Sequence, residues 1–391
     1  MTDADVFQKY QFDARPIVRA CQTVVPNAAG HHDPCMGQIE RDAVARFPLV
    51  GYDAVDEFEA RLRQACDVRH AIAVSSGTAA LHLALLATGV SAGDVVLVPT
   101  LTFAATAAAV CHIGASPVFL DADAMDFGIH PHKFAVFMDR HAIRKPAGAF
   151  FRDTGQKIAA LVFVHVLGLP CRFHEIRRIA ADWGVPIIED AAEALGSNNG
   201  RPCGSLAPVS ILSFNLNKIV TTGGGGAVLT DDATLAKRMR HMATTARIPH
   251  AWLIEHDGIG WNYRMPNSAA AIGCAQMKRL PMFLRAKRAL HDAYRGALGP
   301  MEGVEVVREP PGTRWNRWLT AILVHSQWRG GRNALLSALH DAGLRARAVF
   351  TPLHTLAPYR AFPSHNPETA MDIHKRLICL PSGNGEALRF L

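Results

Sequence analysis

One lysine in this chain stands where a side-chain amine could react. Lys218 follows an apolar run (209–214) and precedes four consecutive glycines, Gly223 to Gly226. The chain holds nine lysines against thirty-two arginines, so a lysine flanked by Asn217, Ile219 and Val220 is not routine surface decoration. Apolar surroundings disfavour the charged form of an amine and leave it a usable nucleophile. Glycines let the backbone turn sharply and approach a ligand closely. Ser213, five residues earlier, offers a hydroxyl suited to phosphate. Taken alone, the segment is equally a strand, a snorkelling lysine and a flexible hairpin.

Further polar residues sit at the ends of apolar runs. Ser75, Ser76, Gly77 and Thr78 lie between a strand-like stretch (71–74) and a helix-like one (79–88). A helix start leaves backbone N–H groups unpaired, and with the helix dipole behind them they favour phosphate. Ser and Thr are also the usual N-caps, so the junction is ambiguous alone. Asp190 and Glu193 follow the run 186–189, Phe103 follows 95–98, and His165 closes 158–165. Arg247 and Asn262 occupy a loop-like stretch (246–265), and His354 follows Pro352 and Leu353.

What positions them is a β–α alternation. Residues 1–50 read as an irregular N-terminal arm, broken by prolines and glycines, with one helix at 38–46. Val55, Phe58, Leu62 and Ala65 recur at helical spacing. Strands are predicted at 71–74, 95–98, 117–120, 158–165, 186–189, 209–214 and 227–230. Helices are predicted at 79–88, to 111, at 131–143 and 173–183, and from 231. Strands this apolar, separated by helices, predict a mostly parallel sheet covered on both faces. Ligands on such sheets collect at the strands' carboxyl ends, where Ser76 to Thr78, Phe103, His165, Asp190, and Ser213 with Lys218 all fall. After the loop-like stretch come helices at 267–280 and 281–298. Strands at 304–307, 318–324 and 346–350 and a helix at 332–342 complete the chain. The expected organisation is an arm (1–50), a large domain (51–275) and a smaller C-terminal α/β domain (276–391).

Composition narrows the class. The chain has 391 residues, 49% apolar and 19% charged, ordinary for a globular protein with a sizeable core. No apolar run approaches bilayer length, and the first residues lack the apolar segment of a signal peptide, so no membrane partner is expected and cytoplasm is the default. Eight cysteines are scattered singly with no CxxC, which indicates neither a zinc ribbon nor a redox motif. No HExxH occurs, His31-His32 reads as loop, and no metal is expected. The formal charge of +7 comes from dispersed arginines, without the block or arm of a nucleic-acid binder. A small anionic ligand such as a nucleotide diphosphate suits the same excess. The glycine run is no dinucleotide fingerprint, because it precedes a strand instead of following one into a helix.

From about Gly51 to His354 the chain resembles the DegT/StrS-type sugar aminotransferases, fold type I enzymes that use pyridoxal phosphate. The resemblance rests on SSGTAALHLAL (75–85), VPTLTFAATAAAV (98–110), PVFLDAD (117–123), VHVLGLP (164–170) and IIEDAAEALGS (187–197). It continues through SFNLNKIVTTGGGG (213–226), GWNYRM (260–265), AAIG (270–273) and TPLH (351–354). It implies an α/β fold: a large domain on a mostly parallel mixed sheet plus the smaller C-terminal domain. Lys218 matches the lysine that joins the cofactor covalently and later moves a proton. Asp190 matches the carboxylate that faces the pyridine nitrogen. Gly77, Thr78 and Ser213 match the phosphate cup, and Phe103 the aromatic stacked on the ring. Asn262 matches a residue reaching the phosphate from a neighbouring subunit, which implies a homodimer with a shared site. Glu193 stands where many relatives carry Gln or His near the 3-hydroxyl; an ionised Glu would repel a phenolate, so it is expected to be protonated or turned aside. His165, Arg247 and His354 are substrate candidates.

Within the family, FNLNKIVTTGGGGA, the HMATTARIPH run and RWLTAILV resemble a branch that aminates position 4 of UDP-linked 4-keto-6-deoxy-N-acetylhexosamines. Its donor is glutamate, and its products feed bacterial surface sugars. The alternatives are GDP- or dTDP-linked sugars aminated at position 3 or 4, and a nucleotide-sugar binding or regulatory homologue without turnover. A related sugar dehydratase carries histidine in place of the lysine, so Lys218 argues against that activity.

Overall fold

The computed structural model describes residues 13–25, 38–46, 53–328 and 330–390. Strands β1 (His70–Val74), β2 (Val95–Pro99) and β3 (Ser116–Leu120) are followed by a hairpin, β4 (Ala142–Lys145) with β5 (Gly148–Phe151). Next come β6 (Ile158–Val164), β7 (Ile187–Asp190), the short pair β8 (Asn198–Asn199) and β9 (Arg201–Pro202), then β10 (Val209–Ser213) and β11 (Gly226–Thr230). Seven of these make the central sheet, in the order β1-β11-β10-β7-β6-β2-β3. From β10 to β3 every neighbouring pair is parallel, while β11 runs antiparallel to both β10 and β1. The sheet is thus mixed and mostly parallel, as expected.

Side chains alternate across each strand, so both faces need cover. Ile72 and Val74 pack with the helices Gly77–Thr88 and Ala233–Ala243. Ala71 and Ala73 pack instead with Phe58 and Leu62 of the helix Ala54–Cys66. Local chemistry fixes the helix starts. Asp53, Ser76 and Asp232 are N-caps whose side chains accept from Val55, Ala79 and Thr234 backbone N–H groups. Such caps contribute about 1 kcal/mol each.

Beyond the central sheet, β12 (Val304–Val306), β13 (Ala321–Val324), β14 (Arg347–Ala348) and β15 (Leu377–Cys379) form an antiparallel sheet in the order β12-β13-β15-β14. One helix, Asn267–Leu298, connects the two and continues through Pro281, where the composition had suggested two helices. We propose to keep the division into large and small domains near 275/276, with this helix as their shared axis. A single core supports both: Leu212, Phe214 and Ala227 belong to the same buried cluster as Ala321, Leu323, Leu377 and Cys379.

Most of the arm lies outside the described residues, including His31, His32 and Cys35. The helix expected at 38–46 is present as Gln38–Arg46, and a second, Arg15–Val24, was not expected. Pro16 looks like a breaker but sits in the first helical turn, where proline is well suited. Ile17, Cys21 and Val25, spaced by four, bury against Leu290, Tyr294 and Leu335. Among the described residues no helix is long and apolar enough to cross a membrane, and all seven described cysteines are free.

Candidate active site

Strand direction gathers the chemistry at one edge. β1 and β10 both pair with β11, and Gly226 is the register partner of Val74 on one side and Ser213 on the other. The Ser76–Gly77 helix start and Ser213 therefore flank one residue. A Cβ on Gly226 would lie 2.4 Å from the Ser76 carbonyl oxygen, and one on Gly77 would lie 3.1 Å from Ser213 Oγ. Gly226 has no room for a side chain, and at Gly77 one would fit only if Ser213 gave way by a few tenths of an ångström. Gly226→Ala should destabilise the fold by about 1–3 kcal/mol, the usual cost of overpacking a tight site, as read from denaturant midpoints.

Ser76, Gly77, Thr78 and Ser213 line one wall of a pocket of about 580 Å³, which also takes in Phe103, Asp190, Glu193 and Lys218. Of the eleven predicted site residues, Gly77, Thr78, Phe103, Asp190, Glu193, Ser213 and Lys218 meet here. Asp190 ends β7 and is buried. Its Oδ2 accepts from Thr106 Oγ1 at 3.0 Å and its Oδ1 from Ala192 N–H at 3.1 Å. Burial pushes this carboxyl above its ordinary range, against the pull of those two donors and the Lys218 charge.

Glu193, three residues on, is also buried. Its Oε2 accepts from Leu167 N–H at 2.8 Å and its Oε1 from Lys218 Nζ at 3.3 Å. Burial raises its carboxyl, Lys218 and the Leu167 N–H oppose that, and the nearby Asp190 adds to the rise. The carboxyl, expected to be protonated or turned aside, is not turned away from the lysine: Lys218 favours its ionised form while burial favours the protonated one.

Lys218 is largely buried, with its side chain 12% exposed. Its surroundings are less apolar than the flanking sequence suggests. Nζ has the Glu193 carboxylate on one side and the Trp318 ring on another, 4.2 Å from the ring centroid. Phe103 is 62% exposed on the pocket rim, edge-on to Phe350 at 6.2 Å between centroids.

The remaining four candidates lie elsewhere. His165 was expected near the sugar, but its side chain is fully buried and absent from the pocket wall. Val164 lines the pocket, and the next residue along an extended strand points to the other face. There His165 Nδ1 accepts from Cys171 N–H at 3.1 Å, so Nε2 bears the proton and donates to Glu189 at 3.0 Å. Arg247 and Asn262 line a separate groove of about 750 Å³ with His250 and Arg264. His354 is half-buried outside the pocket wall, its Nδ1 at 2.7 Å from Thr100 Oγ1.

Thr106, Trp318 and Arg347 line the pocket without having been singled out as site residues. Thr106 orients Asp190 from four residues beyond Thr102. Trp318 stands over Lys218, flagged only by two tryptophans three apart (315 and 318) in a chain with six. Arg347 reaches the pocket from β14, with burial lowering its guanidinium from the ordinary value. The structure also draws His165, Glu189 and Cys203 within 4.8 Å of one another. Glu189 there already accepts from Gly204 N–H, Leu206 N–H, Ser210 Oγ and His165.

The chain is similar to known proteins along most of its length. Residues 43–386 match the model of the DegT/DnrJ/EryC1/StrS aminotransferase family. The GDP-perosamine synthase of Escherichia coli O157:H7 is 35% identical over 331 residues, covering 84% of each chain. EpsN of Bacillus subtilis (strain 168), named as a pyridoxal phosphate-dependent aminotransferase, is 34% identical over 335 residues, covering 84% of this chain and 83% of its own. Among solved structures, DesI, described in the presence of its TDP-sugar product, superposes with a TM-score of 0.78 at 30% identity, covering 93% of this chain and 91% of that one. The expected fold type I architecture is the one found. The chain belongs to the DegT/DnrJ/EryC1/StrS aminotransferase family, enzymes whose cofactor is pyridoxal phosphate.

Proposed function

We propose that this aminotransferase moves the amino group of glutamate to position 4 of a nucleotide-linked 4-keto-6-deoxy sugar, for a bacterial surface polysaccharide or nonulosonic acid. The carrying observation is the meeting of Lys218, Asp190 and the Ser76–Gly77 helix start with Ser213 in one pocket. These residues fit pyridoxal phosphate. The cradle admits no Cβ at Gly226 and only a crowded one at Gly77, the first turn of a twelve-residue helix borders it, and Asp190 is a buried acid that calls for a cationic partner. When bound, the cofactor supplies an aldehyde that takes up amines and a ring that withdraws electrons from the adjoining carbon.

The chain's own groups have distinct tasks. Gly77 and Thr78 N–H groups and the Ser213 hydroxyl would hold the phosphate. Asp190, oriented by Thr106 and Ala192, would keep a proton on the ring nitrogen, because only a positive neighbour lets so buried a carboxyl stay ionised. Phe103 would cover one ring face. Lys218 would hold the aldehyde and carry the proton at Nζ between donor and acceptor carbons. Glu193, bonded to Leu167 N–H and Lys218 Nζ, keeps that amine in place. Arg347 offers a cation for the carboxylate of glutamate. The net exchange turns glutamate into 2-oxoglutarate and the sugar ketone into an amine.

A shared site in a homodimer would account for Asn262. Asn262 and Arg247 line a groove apart from this chain's own pocket; that place suits the expected role of Asn262 toward a partner's phosphate, and we extend it to Arg247 for the sugar diphosphate. Beside them Trp252, Ile254 and Ile259 are 80%, 72% and 85% exposed, apolar surface suited to burial against a second copy. His354, tied to Thr100, anchors the segment that carries Arg347 and Phe350. Free cysteines throughout the described residues favour a reducing compartment, the cytoplasm.

For the nucleotide we propose UDP on an N-acetylhexosamine, supported by the branch resemblance of 213–226 and of RWLTAILV. A GDP-linked sugar is the second reading, favoured by relatives named as GDP-perosamine synthases in Escherichia coli and Vibrio cholerae. Release of 2-oxoglutarate from glutamate should be assayed with UDP-, GDP- and dTDP-linked keto sugars. The UDP sugar should give a kcat/KM at least about tenfold higher, equivalent to some 1.4 kcal/mol of transition-state preference. A larger value for the GDP sugar would transfer the assignment to the second reading, and no release with any would sink the function.

A further inference from the structure

From outside the central sheet, the stretch Trp315–Trp318 brings Trp318 to the pocket wall and, through Asn316, holds the backbone of Glu193, the other side chain that meets Lys218 Nζ. Asn316 Nδ2 donates to the carbonyl oxygens of Glu193 at 2.7 Å and Leu195 at 3.0 Å, and Asn316 N–H donates to Ser197 Oγ at 2.9 Å. Trp318 N–H donates back to Asn316 Oδ1 at 2.9 Å. The Trp318 indole Nε1 donates to the carbonyl of Asn217, the residue before Lys218, at 2.7 Å. Lys287 Nζ donates to the Trp318 carbonyl at 3.1 Å. The backbone of Trp318 is thereby held on both sides and its ring by one bond, with Lys218 Nζ 4.2 Å from the ring centroid.

Between Asn316 and Trp318, Arg317 adopts φ +55°, the left-handed region that a non-glycine residue avoids. Such conformations persist where surrounding contacts over-determine them, and they cluster at functional sites. A buried cation over an indole face is stabilised, more so when desolvated. An ammonium between that face and the Glu193 carboxylate therefore has a defined resting place.

Given Lys218 as the cofactor lysine, we propose that Trp318 is a positioning residue that, with Glu193, docks the released ammonium of Lys218. It would thereby favour release from the cofactor over covalent capture. Capture joins Nζ to the aldehyde carbon, and the carbonyl oxygen leaves as water with two of the ammonium hydrogens. The nitrogen must leave the indole face to react. Loss of that face removes a contact made by the free lysine and not by the joined one.

The test is a double-mutant cycle read by equilibrium binding of pyridoxal phosphate to full-length protein freed of cofactor. With Lys218 present, Trp318→Leu should tighten the apparent affinity by about three- to tenfold, in line with typical cation–π strengths. In a Lys218→Ala background the same change should alter affinity less than twofold, because no ammonium remains to dock. Trp318→Phe keeps a ring face but loses the bond to Asn217, and it should bind within twofold of the unsubstituted chain. Equal effects of Trp318→Leu in both backgrounds would make the tryptophan a simple cofactor wall and overturn the docking role. A Trp318→Phe protein that behaves like Trp318→Leu would also overturn it. Failure of the unsubstituted chain to bind pyridoxal phosphate would remove the functional reading, and this inference with it.

Discussion

Lys218→Ala should abolish turnover, by about 10⁴-fold or more, while the protein still folds and still holds pyridoxal phosphate without a covalent bond. The magnitude follows from losing a nucleophile and a proton carrier in one side chain, each of which contributes orders of magnitude. The fold should tolerate the loss for a local reason. Glu193 gives up its Lys218 partner, but burial already raises its carboxyl, so it takes a proton and keeps the Leu167 N–H bond. The remaining space opens into the pocket and leaves no sealed void in the core. Three measurements decide the matter: 2-oxoglutarate release, thermal unfolding, and labelling by borohydride, which should fix cofactor to the unsubstituted chain and not to the variant. Normal turnover in the variant would exclude Lys218 from the chemistry.

Asp190→Asn should lower kcat by on the order of 10²–10³-fold, a magnitude typical of removing one preorganised electrostatic group. The amide fills the same space, and its oxygen can accept from Ala192 N–H as the carboxylate does. The Thr106 hydroxyl can rotate to accept from the new NH₂. What is lost is the negative charge that would hold a proton on the ring nitrogen. Stability should move the other way. Burial raises the Asp190 carboxyl, so its ionised form costs the cofactor-free fold stability above the ordinary Asp range, and that cost eases as the pH falls through the raised value. Asn removes the cost. The cofactor-free variant should therefore melt no lower than the parent at neutral pH, and the gap should narrow on acidification. A variant with full activity would count against Asp190 as the ring-nitrogen partner.

Much of this site was legible because its parts lie at the ends of strongly apolar strands. The strands at 71–74 and 209–212 and residues Ile188 to Asp190 are buried, so apolar runs between helices placed Ser76 to Thr78, Asp190, and Ser213 with Lys218 at one edge. Strand parity was harder to see. His165 follows Val164 at the correct end of β6 but on the opposite face, and an unbroken apolar run carries no alternation that would reveal which face is which. Thr106 and Trp318 lay inside the matched stretches 98–110 and 317–324 and Arg347 in none, yet no role could be read for any of them. Each reaches the pocket through packing between distant segments, and no local pattern encodes that proximity. Pro281 misled because a proline usually ends a helix; here the packing of Ala270, Phe283 and Leu290 on both sides holds one continuous rod.

That rod has an implication for how such a protein can diversify. Leu212 and Phe214 beneath the lysine share their packing with Leu323 and Cys379 of the second sheet, and Arg347 and Trp318 are presented to the pocket from the same side. The C-terminal portion is therefore no cassette that can be exchanged between relatives to alter sugar preference. Change has to arrive by point replacement within the standing walls, or in the loop around Trp252, where insertions disturb no common interior.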